Sequence, residues 1–249
     1  ARGEAERQEH SQPLLDALQA NLIAHRGVLA HVHALAMECQ LTERLQARLA
    51  LDPVISPLLQ ALISAPDGNV AARAMTLLAA QARFIQAQRR MELPLGELPA
   101  DLLHAALLGL RAMTDESEED LHYTTEAERQ IRSSYDEGRS RLGLITGLVI
   151  GMGGGASAAL SITHAGVAIF ASALAMASGQ DRDMAVLSTN EGQLARLALA
   201  LRASGLKPET VEEQFLSLHP AVTLPEDFQR IGPDRAAAIL SASTCVVGG

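Results

Sequence analysis

The chain has 249 residues, 48% of them apolar and 2% aromatic, with no Trp and a formal net charge of -9 at pH 7. That length and apolar share are enough for one large core or two closely packed halves without disulfide or metal staples. Lys and Arg number 14 against 20 Asp and Glu in residues 1–141, and 6 against 9 in residues 142–249, so neither half has the positive balance of a nucleic-acid backbone binder.

A core poor in aromatics must be built from Leu and Ala, which suits closely approaching helices better than a sheet. Proline sets the boundaries, because it is favoured at the first helical position and disruptive further inside. In chain order the pattern predicts helices over 12–38, 41–51, 54–64, 68–91 and 99–113, with Pro13, Pro57 and Pro99 opening three of them. Asp115 to Asp120 is an acidic stretch without apolar periodicity and reads as a solvated linker. Beyond it, helices are predicted over 125–152, 157–178, 190–204, 208–218, 224–230 and 233–242, three of them headed by Pro208, Pro225 and Pro233. Gly179 and Gly205, each after Ala-Ser, read as left-handed stops. Asp181 or Asp183 reads as the cap of a short segment, Met184 to Leu187.

The segment 142–180 passes thirty-nine residues without an Asp, Glu, Lys or Arg and contains Gly151-Met152-Gly153-Gly154-Gly155. Its letters fit a dinucleotide-binding turn, which requires a strand over Leu144 to Ile150. The spacing upstream argues otherwise: Ile131, Tyr135, Gly138, Leu142, Ile145, Val149 and Met152 step by alternate fours and threes, the face of one helix begun by a Thr125-x-x-Glu128 capping box. The glycines then end that helix near Gly153 and lead into the next core helix, with Thr163 as a fresh cap. A membrane span needs about 20 strongly apolar residues. This stretch is only mildly hydrophobic and follows a charged helical start, so no membrane role is expected.

The fold expected is therefore all-α, a multi-helix array of antiparallel helix pairs, HEAT-like or α-solenoid-like. It comprises an N-terminal half (1–114), an acidic linker (115–124) and a C-terminal half (125–249), which can pack as one continuous domain. Two runs, His164 to Phe170 followed by Ala173 to Gly179 and Leu194 to Gly205, and Gln81 to Arg90, resemble an uncharacterised bacterial family classed as a domain of unknown function. The resemblance covers about residues 45–240 and implies an all-helical, HEAT-like arrangement. It implies no catalytic residues.

Cys39 and Cys245 stand far apart and outside any Cys/His cluster, so neither a disulfide framework nor a zinc site is expected, and the setting expected is reducing and cytoplasmic. No basic stretch followed by an apolar segment opens the chain, so no secretory signal is expected. His31 and His33 lie two apart on a helix, about 200° around its axis, and cannot share a metal. Gly155-Ala156-Ser157-Ala158-Ala159 lacks the last glycine of a nucleophile elbow. No cofactor, metal or catalytic residue is expected.

Two features remain. In the helix over 68–91 the apolar face is read as Ala71, Met75, Leu78, Ala82 and Ile85, leaving Arg83 and Arg90 together elsewhere, near Arg73, as a solvated or intramolecularly paired face or as a surface for an acidic partner or anion. His104 and His164 fall in apolar helices and read as hydrogen-bonded core histidines, or as the lining of a ligand pocket. The function expected is a non-catalytic protein–protein interaction module with a regulatory or scaffolding role and an unidentified protein partner, a homodimer being one form of it. The alternative is a sensor of a small anionic ligand with a pocket between helices near His104 or His164; an enzyme of unknown class comes third.

Overall fold

The computed structural model describes residue 12, residues 15–114 and residues 118–245. Most of these residues are helical, and no strand occurs among them. The helices are α1 (15–24), α2 (Arg26–Leu49), α3 (Pro57–Ile63), α4 (Gly68–Arg89), α5 (Ala100–Thr114) and α6 (Glu118–Ser134). They continue as α7 (Arg141–Gly151), α8 (Ile162–Ser178), α9 (Arg182–Ser188), α10 (Leu194–Ala203), α11 (Pro208–Leu218) and α12 (Pro233–Cys245). Short 3-10 turns lie between them, including Glu137–Arg139, Gly153–Leu160 and Glu226–Arg230.

The contacts group the chain into two compact units that differ from the halves drawn on the sequence. One joins the described residues up to His33 with Glu92–Ser140, and the other joins Ala34–Met91 with the residues from Arg141 onward. The acidic stretch does not separate them: residues 118–124 belong to α6, whereas Asp115 to Ser117 lie outside the described residues.

The first unit has a small core of Leu98, Leu103 and Leu107, against which Leu93, Ile131 and Tyr135 pack. The Tyr135 hydroxyl donates to the Leu98 carbonyl at 2.8 Å, so its one polar group is satisfied as the ring is half-buried.

The second unit is organised around α8, which packs against α3, α7, α9, α10 and α11. Its residues from Val167 to Ala175 are all buried, with Phe170 and Leu174 at 0% exposure. A helix segment surrounded on every side must be apolar all round, which accounts for the absence of charge from 167–175. No single helix among the described residues is long and apolar enough to cross a membrane, and the apolar pair Gly153–Leu160 and α8 is bent by 110°.

Proline marks several starts as the sequence predicts. Pro57 and Pro208 occupy first-turn positions of α3 and α11. Pro233 opens α12, Pro99 precedes α5, and Pro13 lies outside the described residues. Gly179 caps α8 in the left-handed region at φ 68°, and Gly205 has φ 85°.

Four expectations are corrected. Residues 39 and 40 lie inside α2, because nothing in Glu38-Cys39-Gln40-Leu41 breaks a helix, and Thr42 returns its hydroxyl to the Glu38 carbonyl at 2.8 Å within the turn. The predicted helix over 125–152 is two helices. Asp136 is extended and accepts a hydrogen bond from the Gly138 amide at 3.0 Å, a local turn that competes with helix. Ile131 and Tyr135 therefore serve the first core while Ile145 and Val149 serve the second. Thr125 is no cap, since its hydroxyl bonds the Leu121 carbonyl at 2.7 Å inside α6. Past the glycines, residues 153–160 are 3-10 rather than α-helix, Ser161 precedes α8, and Thr163 lies within it.

The interruption in α8 falls at Gly166, with φ 74° and ψ 164°. That conformation is open essentially to glycine alone. A Cβ there would also stand 3.1 Å from the Ser56 Cβ, and Ser56 is held because its hydroxyl accepts the Leu59 amide at the start of α3. We predict that Gly166→Ala destabilises the protein by about 1–3 kcal/mol, read as a lower urea midpoint. Gly155→Ala meets no atom within 4 Å and serves as the near-neutral control. Equal midpoints for the two variants would contradict this account of the kink.

Candidate functional site

Helix α4 begins at its Asp67 cap, whose carboxylate accepts the Asn69 amide at 2.8 Å, and runs unbroken to Arg89. Its buried side is Ala74, Leu77, Ala80, Phe84 and Ala87, not the face read from the sequence, and Met75 is 51% exposed. The Ala-rich sequence offers several nearly equivalent apolar stripes, and the single large ring, Phe84, selects the one that is used. Arg83 and Arg90 are exposed and seven residues apart, hence on the same side of α4. Arg73 is exposed as well but about 80° around the axis from Arg83, at a groove that also includes Leu62, Leu148 and Gly151.

His104 and His164 belong to different compact units. His104 is exposed, against the core role expected, and its Nδ1 lies 2.9 Å from Arg132 Nη2. His164 is half-buried. Among the described residues the buried histidines are His31 and His219, while His33 is exposed on another side of α2. Burial, with Arg44 next, pushes His219 below its ordinary value of 6.5.

The most highly built polar feature centres on Glu38. Glu38 of α2 is 4% exposed and receives two guanidinium groups. Arg141, the first residue of α7, donates from Nη1 to Glu38 Oε1 at 2.6 Å and from Nη2 to Oε2 at 3.2 Å. Arg182, the first residue of α9, donates from Nη2 to Glu38 Oε2 at 2.7 Å and from Nε to Ser172 Oγ at 2.9 Å. The Arg141 side chain is 1% exposed and that of Arg182 is 14% exposed. The Arg141 guanidinium lies over the Phe84 ring, 3.8 Å from its centroid, a cation–π contact in a desolvated setting.

Gln81 completes the arrangement. Its Nε2 donates to the Pro53 carbonyl at 3.1 Å, which turns its Oε1 toward Arg141 Nη1 at 3.5 Å. Beside these groups opens a cleft of about 160 Å³ between α2, α4 and the start of α7. A smaller cavity of about 30 Å³ lies on the other side of Gln81, reaching Ser56 and Gly166, with room for a single water.

Burial alone would raise the Glu38 carboxyl, but Arg141 and then Arg182 outweigh it and hold the group at about 2, against 4.5 ordinarily. The cluster is thus charged at neutral pH, with one carboxylate shared between two guanidiniums. Burial also raises the Cys39 thiol, with Glu43 next; its Sγ lies 3.7 Å from Glu43 Oε1. Among the described residues no group of three or more His, Cys, Asp or Glu is placed to hold a metal ion.

A sequence signal for Glu38 existed. Ala34, Leu35, Glu38, Leu41 and Leu45 share one helical stripe, and all five are buried. A carboxylate inside such a stripe requires a cationic partner. The identity of that partner, 103 residues away, is not legible from spacing. No family model, curated protein or solved structure matches the chain.

The depressed carboxyl carries a pH prediction. Its stabilising contribution is fully present above the unfolded value of 4.5 and is lost as pH falls toward 2. The difference amounts to about 3 kcal/mol at pH 7 and falls by more than half by about pH 3. Glu38→Gln, which leaves the two guanidiniums uncompensated, is expected to cost about 3–5 kcal/mol at pH 7. Urea unfolding of both proteins should show the gap narrowing on acidification; a gap independent of pH would remove the ion pair as its source.

Proposed function

We propose that the protein is a non-catalytic helical interaction module with a regulatory or scaffolding role, which contacts an acidic protein partner through the outer side of α4. The observation that carries this reading is the charge of that helix. From Gly68 to Met91 the chain has Arg73, Arg83, Arg89 and Arg90 and no Asp or Glu, in a protein of net charge -9. Arg83 and Arg90 are exposed on the same side, where two planar guanidinium groups suit carboxylates of a partner helix. Complementary charge on such a surface acts mainly on specificity and association rate.

A HEAT-like order of helix pairs, and kinship with the helical family the sequence resembles, belong to the same proposal. Its support is that consecutive helices neighbour one another in space: α3 with α4, α5 with α6, and α8 with α9. Self-association is the form of the proposal in which a second copy supplies the acidic surface. A nucleic-acid partner is not proposed, given the acidic balance of both halves of the chain.

Reversing the charge at both positions, Arg83→Glu with Arg90→Glu, tests the reading. Affinity purification of the wild type and the double variant, with partners identified by mass spectrometry, should recover an acidic partner that the variant loses. For a self-associating chain, the wild type should sediment as a salt-sensitive dimer and the variant as a monomer. Identical partners and identical sedimentation for the two proteins would rule out this surface.

A further inference from the structure

We propose that the groove between the start of α4 and the end of α7 seats a second copy of this chain, each copy placing its Ile150 in the groove of the other about a two-fold axis. The groove lies within the second unit and holds about 780 Å³. Its floor is apolar: Leu148 is buried, and the half-buried Leu62 and Met152 pack on the same core. Along α7 and the turn after it the wall is backbone, because Gly147, Gly151 and Gly155 put no side chain into the hollow and allow close approach. A Cβ placed at Gly147 or Gly155 meets no atom within 4 Å, so the space beside them is open.

The knob that matches this hollow is on the same helix. Ile150 is 64% exposed and stands about 60° around α7 from Gly147, at the rim. An exposed aliphatic side chain beside an apolar hollow makes one contiguous apolar surface, the kind that marks an interface. Knob and hollow side by side on one copy also meet the requirement of a two-fold contact, in which residue i touches residue j and j touches i. Charge complementarity points to the same occupant. Asp67 and Arg73 both line the groove, six residues apart and hence about 9 Å apart along α4. Asp67 engages the Asn69 amide through one oxygen, and neither residue belongs to an ion pair among the described residues. One charge of each sign gives no net attraction for a small ion. Two copies with their α4 helices antiparallel gain twice from it, since Arg73 of each faces Asp67 of the other.

This surface is separate from the arginine side of α4, because Arg83 and Arg90 do not line the groove. The test is sedimentation velocity of the full chain over a concentration series. The wild type is expected to show a concentration-dependent dimer. Ile150→Asp, at an exposed position, and Gly147→Leu, which fills the open hollow, are each expected to be monomeric with unchanged far-UV circular dichroism. Reciprocity is tested by charge reversal. Arg73→Glu alone and Asp67→Lys alone are expected to be monomeric, and their equimolar mixture to form a heterodimer in which both ion pairs are restored. The Arg83→Glu, Arg90→Glu protein is expected to keep this dimer, so failure of the partner reading and failure of this one are separate results. A wild type that stays monomeric at the highest attainable concentration overturns the proposal. So does a dimer retained by folded Ile150→Asp or Gly147→Leu protein, a mixture that stays monomeric, or a dimer lost in the Arg83→Glu, Arg90→Glu protein.

Discussion

One carboxylate fixes the relative positions of three helices that are far apart in sequence. Glu38 from α2 meets Arg141 from α7 and Arg182 from α9 beside a core made mostly of Leu and Ala. Hydrophobic contact is not directional, and an Ala-rich helix can slide or rotate against its neighbour at little cost. The hydrogen bonds of a buried charge cluster can tolerate neither movement, since a small displacement would leave an ion desolvated and unpaired. Here the two arginines open their helices, where backbone amides are already without intrahelical partners and the chain can bend to deliver a long side chain.

The cluster is itself supported by apolar structure. Phe84 belongs to the buried side of α4 and also stacks beneath Arg141, so one ring locks the rotation of its helix and neutralises part of a guanidinium face. Ser172 lies in the middle of α8, returns its hydroxyl to the Ala168 carbonyl at 3.1 Å and accepts Arg182 at 2.9 Å. The most buried helix thereby contributes a polar contact without exposing an unsatisfied group. Arg202 shows the same economy elsewhere: it is 7% exposed and donates to the carbonyls of Ile231 and Leu206, tying α10 to the chain ahead of α12.

What the sequence conveyed follows the range of each signal. Pro57, Pro208 and Pro233 act within one turn, and the starts they mark are correct. Gly179 and Gly205 act on their own φ angles and are equally plain. Apolar spacing acts over longer distances and was less faithful. The run from Ile131 to Met152 keeps helical steps across Asp136 and Gly138, where the backbone leaves the helix, because two helices serving two cores happened to continue in phase. In α4 the length was legible but the face was not, since Ala71, Ala74, Ala79, Ala80 and Ala82 present apolar surface at many angles. Gly166 carried a signal of conformational freedom, but its close approach to Ser56 joins residues 110 apart and has no local trace.

The position of α4 limits how its two sides can communicate. Phe84 and Gln81 look inward on the charged cluster and the cleft, while Arg83, adjacent to Phe84 in sequence, points about 100° away toward solvent. Coupling between sites needs an element with two discrete arrangements that both sites bias. Helix α4 is capped by Asp67, runs without a break to Arg89 and is held on its inner side by five buried residues, a rigid rather than bistable element. The element adjoining the core that departs from helical geometry is α8, at Gly166, next to the small cavity that Gln81 shares with Ser56.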